Sequence, residues 1–215
     1  MGPALRPAGG KLVARFILAI FITLLAMRPA SAQEIKPIDA LRAPLDSALA
    51  ILQDPRYRMD KEKEAQKEKL WEIIRKVFDF EGITVLAVGP NWKRFSPAQK
   101  TEFIDVFTTR LGNSYLTKIQ GNFNNEKVEF LSQEMLSAAK ARVKTKIIRE
   151  VDSIPVDYSV RPIDGAWRIY DVIIEGVSLV ANYRSQFNDI LSKDSPDVLI
   201  ERVRTQNKTQ EKEKK

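Results

Sequence analysis

Between Gly121 and Gly176 the hydrophobic period of this chain changes from 3.6 to 2 and back, which limits the folds open to it. Val128-Glu129-Phe130-Leu131 begins the alternation. In the segment from Ala141 to Val151, Val143, Thr145 and Ile147 alternate with Lys144 and Lys146. Ile154, Val156, Tyr158 and Val160 then alternate with Asp157, Ser159 and Arg161. Asp164-Gly165, a strong hairpin signal, leads into a fourth segment, Ala166 to Glu175. Four half-apolar strands with short links predict an antiparallel meander, because parallel neighbours need crossovers of a dozen residues or more.

Helical patterns flank this region. Ile38, Leu41, Leu45, Ala48, Leu49 and Leu52 fall on one face, and Pro55 closes that helix. The stretch from Asp60 to Phe80 opens with KEKEAQKEK, a solvated face with i,i+4 pairs, and then gains a stripe of Leu70, Ile73, Ile74, Val77 and Phe78. A short apolar piece, Ile83 to Val88, ends at Gly89-Pro90. Ser96-Pro97-Ala98-Gln99 is a capping box with proline at the first helical position. The helix it opens carries Phe103, Val106, Phe107, Leu111 and Tyr115, runs to about Lys118, and is expected to pack its aromatic face on the sheet. Gly176 and Ser178 break into a helix over Leu179–Leu191, and Ser195-Pro196 starts a last short one ending near Val203. Residues 205–215 lack apolar side chains and read as a disordered polar tail. Helices, a curved antiparallel four-stranded sheet and more helices make an α+β domain over 33–204, with helices enclosing an apolar cavity.

Residues 1–32 are set apart. Arg6, Lys11 and Arg15 precede an apolar run, Phe16 to Met27, and Ala30-Ser31-Ala32 is a cleavage pattern: the three parts of a secretory signal peptide cut after Ala32. Twelve residues rise about 18 Å as a helix, short of the roughly 30 Å of a bilayer core. The whole chain has 35 Lys and Arg against 28 Asp and Glu, a formal +7. Four of those cations and none of the acids lie in 1–32, which leaves +3 and little footing for a nucleic-acid surface. An exported chain without cysteine has no disulfides to lean on, which suits a bacterial periplasm.

With neither cysteine nor histidine, thiol nucleophiles, Ser-His-Asp triads and Cys/His zinc sites are excluded. Carboxylate catalysis stays open, and Asp171 and Glu175 sit inside an apolar stretch. In a strand they share a face, but at about 3.3 Å per residue their Cα atoms lie roughly 13 Å apart, with Ile173 between them. Glycosidase pairs need about 5–9.5 Å. The two acids therefore read as parts of a strand-to-helix joint: Glu175 at the start of the following helix, Asp171 satisfied by a nearby donor.

Pro155-Val156-Asp157-Tyr158, Gly165-Ala166-Trp167-Arg168-Ile169-Tyr170-Asp171-Val172, Glu175-Gly176-Val177-Ser178-Leu179 and Asn182-Tyr183-Arg184-Ser185-Gln186-Phe187 together resemble the toluene-tolerance/MlaC family. Phe80-Glu81-Gly82-Ile83, Gly89-Pro90-Asn91-Trp92, Phe103 to Phe107 and Pro196 to Ile200 extend the resemblance in order along the chain. It implies a periplasmic carrier that shuttles phospholipid between outer and inner membranes. The implied partners are an inner-membrane ABC transporter with an MCE-domain subunit and an outer-membrane lipoprotein–porin complex, with transient membrane contact. The implied fold is similar to the cone-shaped domains related to nuclear transport factor two.

Burial is chemistry enough for that task. At roughly 0.8 kcal/mol per methylene, two chains of about sixteen carbons carry on the order of 25 kcal/mol of transfer cost, so a carrier must enclose them. No cofactor, metal or catalytic residue is expected. The candidate lining is Phe103, Phe107, Leu111 and Tyr115 from the aromatic helix, Val143, Ile147, Val156, Tyr158 and Val160 from the sheet, and Val172, Ile174, Val177 and Leu179 in or after the fourth strand. Trp92, Trp167, Tyr183 and Phe187 read as structural anchors; Arg168 and Arg184 are open to two roles, phosphate contact at a cavity mouth or salt bridges. A carrier of another lipid such as a hopanoid, a carboxylate hydrolase in a cone-shaped fold, and a non-binding adaptor of a transporter complex are the alternatives.

Overall fold

The hairpin at Asp164-Gly165 forms as its sequence dictates: both residues take positive φ, 50° and 76°, the turn that matches strand twist. It joins β3 (Ser153–Ile163) to β4 (Ala166–Ile174) in an antiparallel sheet that begins with β1 (Lys127–Ser137) and β2 (Lys140–Ile148). The computed structural model describes residues 35–212, with side chains to 209, so the signal peptide and its cleavage site lie outside the described residues.

The sheet has five strands rather than four, in the order β1-β2-β3-β4-β5. Glu175 and Gly176 repeat the same turn, with φ of 50° and 82°, and send Val177–Ser178 back as β5 beside Ile173 and Ile174. The chain makes a small hairpin before it enters the helix. Strand register places Val143 opposite Tyr158 and Val156 opposite Ile174, so the alternating apolar residues line one face. A bulge in the β3–β4 ladder, between Ser159 and Val160, keeps Ile169 on that face opposite Val160.

Helix α1 (Pro37–Gln53) lies across this face, with α2 (Lys63–Val77) beside it; Leu41, Val77, Val143, Val160 and Ile169 form the buried layer between. The charged run splits into a 3-10 turn, Asp60–Glu62, and the first turns of α2. The apolar piece near Ile83 is a helix, α3 (Phe80–Val88), capped by Asp79, whose carboxylate accepts from the Gly82 amide at 2.9 Å. A short apolar run bounded by Gly-Pro has no clear period, so only this cap distinguishes it as helical. Asp79 also receives Arg161 Nε at 2.8 Å, which ties α3 to β3.

The Ser96–Gln99 capping box is present and opens α4 (Pro97–Asn122), one turn longer than expected. Helix α5 (Leu179–Leu191) has the predicted bounds. Helix α6 (Pro196–Lys212) does not stop near Val203, as the polar sequence suggested, but continues through most of the expected tail. The reason is one amide: Asn207 is buried, and its Nδ2 donates to Val106 O on α4 at 3.1 Å. Helices α3 to α6 form a second buried layer of their own.

Candidate functional site

The candidate lining residues do not converge on one cavity. Phe103, Phe107 and Leu111 are buried in the all-helical layer, with Tyr115 and Leu179 packed against it. Val143, Val156, Tyr158 and Val160 are buried in the sheet layer, with Ile147 and Val172 half-buried beside them. Ile174 and Val177 belong to neither: they are 39% and 63% exposed at the open end of the sheet.

The aromatic face of α4 turns toward α5 and α6, contrary to the expectation that it packs on the sheet. Phe103 and Phe107 stack with centroids 5.8 Å apart and planes 3° from parallel. Phe187 meets both edge-on, at 5.5 and 5.0 Å, and Tyr183 meets Phe107 at 4.8 Å. Such pairs add about 0.5–1.5 kcal/mol each beyond area burial. Leu191, Leu199 and Ile200 close this layer. Phe78 packs against both layers and marks the seam. Periodicity assigned the α4 stripe correctly but carries no record of which neighbour it faces.

Two groups that sequence reasoning left out of the lining complete the sheet side. Ile38, Leu41 and Leu45 of α1 press onto the apolar face, joined by Phe130, Ile154 and Trp167 from the strands. Trp167, expected as an anchor, thus belongs to the sheet layer. Arg42 lies 4.4 Å over the Phe130 ring, and the Ile38 amide donates to Gln133 Oε1 at 2.9 Å. Alternation in β1 and the stripe on α1 were the available signals. Helix α1 is lightly held: only Pro37 and Leu41 of it are buried, and Pro44 removes one rung of its backbone ladder.

Polar groups around these layers are structural. Asp171 accepts Ser178 Oγ at 2.6 Å and the Val180 amide at 3.0 Å, so it caps α5 together with Ser178. Glu175 sits in the turn at φ 50° and is not at the helix start, which corrects one half of the sequence reading. Arg184 Nε donates to Leu86 O at 2.7 Å, and Arg168 donates to Lys76 O. Arg94 does the same for Leu191 O, and its other nitrogen reaches Asp194 O at 3.0 Å. Three arginines thus meet carbonyls at the C-terminal ends of α2, α3 and α5, where the helix dipole favours a cation. None of the three pairs with a carboxylate among the described residues.

Burial pushes the Tyr158 hydroxyl up to about 12, although a hydrogen bond with Thr145 opposes the shift. Tyr115 is raised beyond the ordinary phenol range, first by burial and then by the neighbouring Tyr183. Both phenols stay neutral at any physiological pH. Among the described residues no cluster of acids is arranged to hold a metal ion, and no helix is long and apolar enough to cross a membrane.

The family model for the MlaC protein matches residues 43–205. The chain belongs to the MlaC family. The match begins inside α1 and ends inside α6, so it takes in the helical layer and all of the sheet layer but Ile38 and Leu41. The toluene tolerance protein ttg2D of Pseudomonas putida is 23% identical over 164 residues, which is 75% of this chain and 76% of that relative. A phospholipid-binding protein from Ralstonia solanacearum, solved in complex with a phospholipid, superposes with a TM-score of 0.70 at 22% identity. The superposition covers 81% of this chain and 98% of that one, and it bears on the fold of this MlaC-family member.

Proposed function

We propose that this chain is a soluble periplasmic carrier that holds phospholipid acyl chains between the apolar face of its sheet and helix α1. It moves lipid between the outer and inner membranes, needs no cofactor, and catalyses no reaction. The observation that carries this reading is the asymmetry of the two layers in an MlaC-family chain. The sheet layer is mainly aliphatic, is covered by the proline-interrupted α1 with α2 beside it, and is half-open at Ile147 and Val172. The helical layer is locked by interleaved rings. Leu41 and Val143 have no exposure, so chains enter only as α1 moves away from the sheet. The phospholipid bound by the Ralstonia solanacearum protein of like fold supports a lipid cargo.

The wider cycle belongs to the same reading: export by the N-terminal signal, loading and delivery at an outer-membrane lipoprotein–porin complex and an inner-membrane MCE-domain ABC transporter. The test is direct. Residues 33–215 are purified from bacterial periplasm, extracted with organic solvent, and the lipids identified by mass spectrometry. Stoichiometric phospholipid is expected. A hopanoid in its place would change the cargo, and protein that stays empty and takes up no added lipid would overturn the carrier reading.

A further inference from the structure

A polar cleft of about 310 Å³ opens where α1 ends, α2 begins and α4 passes into β1. Its floor is a layer of amides. Gln66, 1% exposed, donates through Nε2 to Ile51 O at 2.8 Å and accepts from Gln120 Nε2 at 3.0 Å. Gln120 Nε2 also donates to Lys63 O at 2.9 Å, so the floor ties α1, α2 and α4 together. The buried Tyr57 forms one wall, and Arg58 and Lys63 stand at the rim.

The charge balance of the cleft points to an anion. Its one lining acid, Asp54, is taken by Arg56, whose Nε donates to the two carboxylate oxygens at 3.0 and 2.9 Å. Arg58 and Lys63 have no carboxylate within ion-pair distance among the described residues. Two free cations above a preorganised polar floor match a phosphate ester, which takes charge-assisted hydrogen bonds from both. The volume stands at the low end of the roughly 300–1,000 Å³ of small-ligand pockets, too small for acyl chains and suited to a headgroup.

The cleft and the apolar layer share helix α1. Leu52, which lines it, lies on the same helix as Leu45, which packs on the sheet. Seven residues of helix place the two about 10 Å apart along α1, within the span of one lipid molecule.

We propose that this cleft is a phosphate-ester site, with Arg58 and Lys63 as its cations, and that it receives the glycerophosphate headgroup of a lipid whose chains lie under α1. The proposal rests on the carrier reading above, and the experiment separates the two. Delipidated wild type and the R58Q/K63Q variant are titrated calorimetrically with a short-chain phosphatidylethanolamine, with diacylglycerol bearing the same chains, and with soluble glycerophosphoethanolamine. Circular dichroism checks that the variant, altered only at the rim, keeps its fold. The expected result is phospholipid binding at least about tenfold weaker in the variant, the loss of one or more charge-assisted contacts, with diacylglycerol bound equally by both proteins. Equal phospholipid affinity in the two proteins overturns the proposal. Weakening confined to glycerophosphoethanolamine assigns the cleft to a free phosphate ester and overturns the headgroup assignment. Should neither diacyl ligand bind the wild type, the carrier reading fails, while the soluble ester still reports on the cleft.

Discussion

The two apolar layers are built from different materials, and the carrier proposal turns on the difference. The helical layer sets Phe103, Phe107 and Phe187 in mutual contact on three helices' shared interior, with Leu191 and Leu199 filling the gaps. Rings in edge and stacked contact leave little freedom to rearrange. The sheet layer instead sets mostly valine, isoleucine and alanine from β2 to β4, with Tyr158 and Trp167, under α1 and the end of α2; α1 itself buries only Pro37 and Leu41 and is tied by bonds to Gln133 and from Gln66. A packed core of either kind stabilises the chain; the proposed function assigns the lipid to the second, whose α1 cover is the more lightly held.

The largest effect that would sharpen the contrast comes from the helical layer. Phe107→Ala should cost about 3–5 kcal/mol in urea denaturation, since the ring is fully buried in contact with three others. The fraction that remains folded should carry as much lipid as wild type. Val143→Phe in the sheet layer should do the reverse: overpacking costs about 1–3 kcal/mol, while lipid recovered per folded molecule drops steeply. If Phe107→Ala emptied folded protein and Val143→Phe left it loaded, the roles of the layers would be exchanged.

The acids at the sheet end offer a smaller test. Asp171→Ala removes a cap from α5 and should lower stability by about 1–2 kcal/mol. Glu175→Ala, in an exposed turn, should stay within about 0.5 kcal/mol. Equal losses at the two positions would break the assignment of the capping carboxylate to Asp171.

The smallest effect is on pH dependence. Tyr158 has its folded pKa raised to about 12, so the neutral form that folding favours is intact below pH 10. Its contribution is lost as pH rises from about 10 through 12, and Tyr115 behaves in the same direction. Ultraviolet titration of tyrosinate should show Tyr115 and Tyr158 resisting ionisation near pH 10 until the chain unfolds, and Tyr158→Phe should remove one resistant group. Full ionisation of all five tyrosines near pH 10 in folded protein would contradict the burial of both rings.

Where local chemistry decides structure, the sequence was legible. The Ser96–Gln99 box, the Asp164-Gly165 turn and the bounds of α5 all follow from side chains bonding to backbone within a few residues. Alternation likewise set which residues of β2 and β3 share a face, and the quoted motifs carried the family. What distant elements decide was not legible. The stripe on α4 reads the same whether it meets a sheet or two helices, so one proposed lining became two layers. The polar end of α6 gives no local sign that Asn207 bonds to α4. Asp171 is satisfied as expected, but Glu175 misses the helix start because two residues of β5 intervene.

The claim that cargo lies in the sheet layer is tested most directly by isotope-filtered NOEs between unlabelled acyl chains and 13C-labelled methyl groups of the lipid-loaded protein. Contacts are predicted to Leu45, Val143, Ile147 and Val172, and none to Leu111, Leu191 or Leu199. Contacts confined to the helical set, or shared evenly between the two sets, would contradict the account.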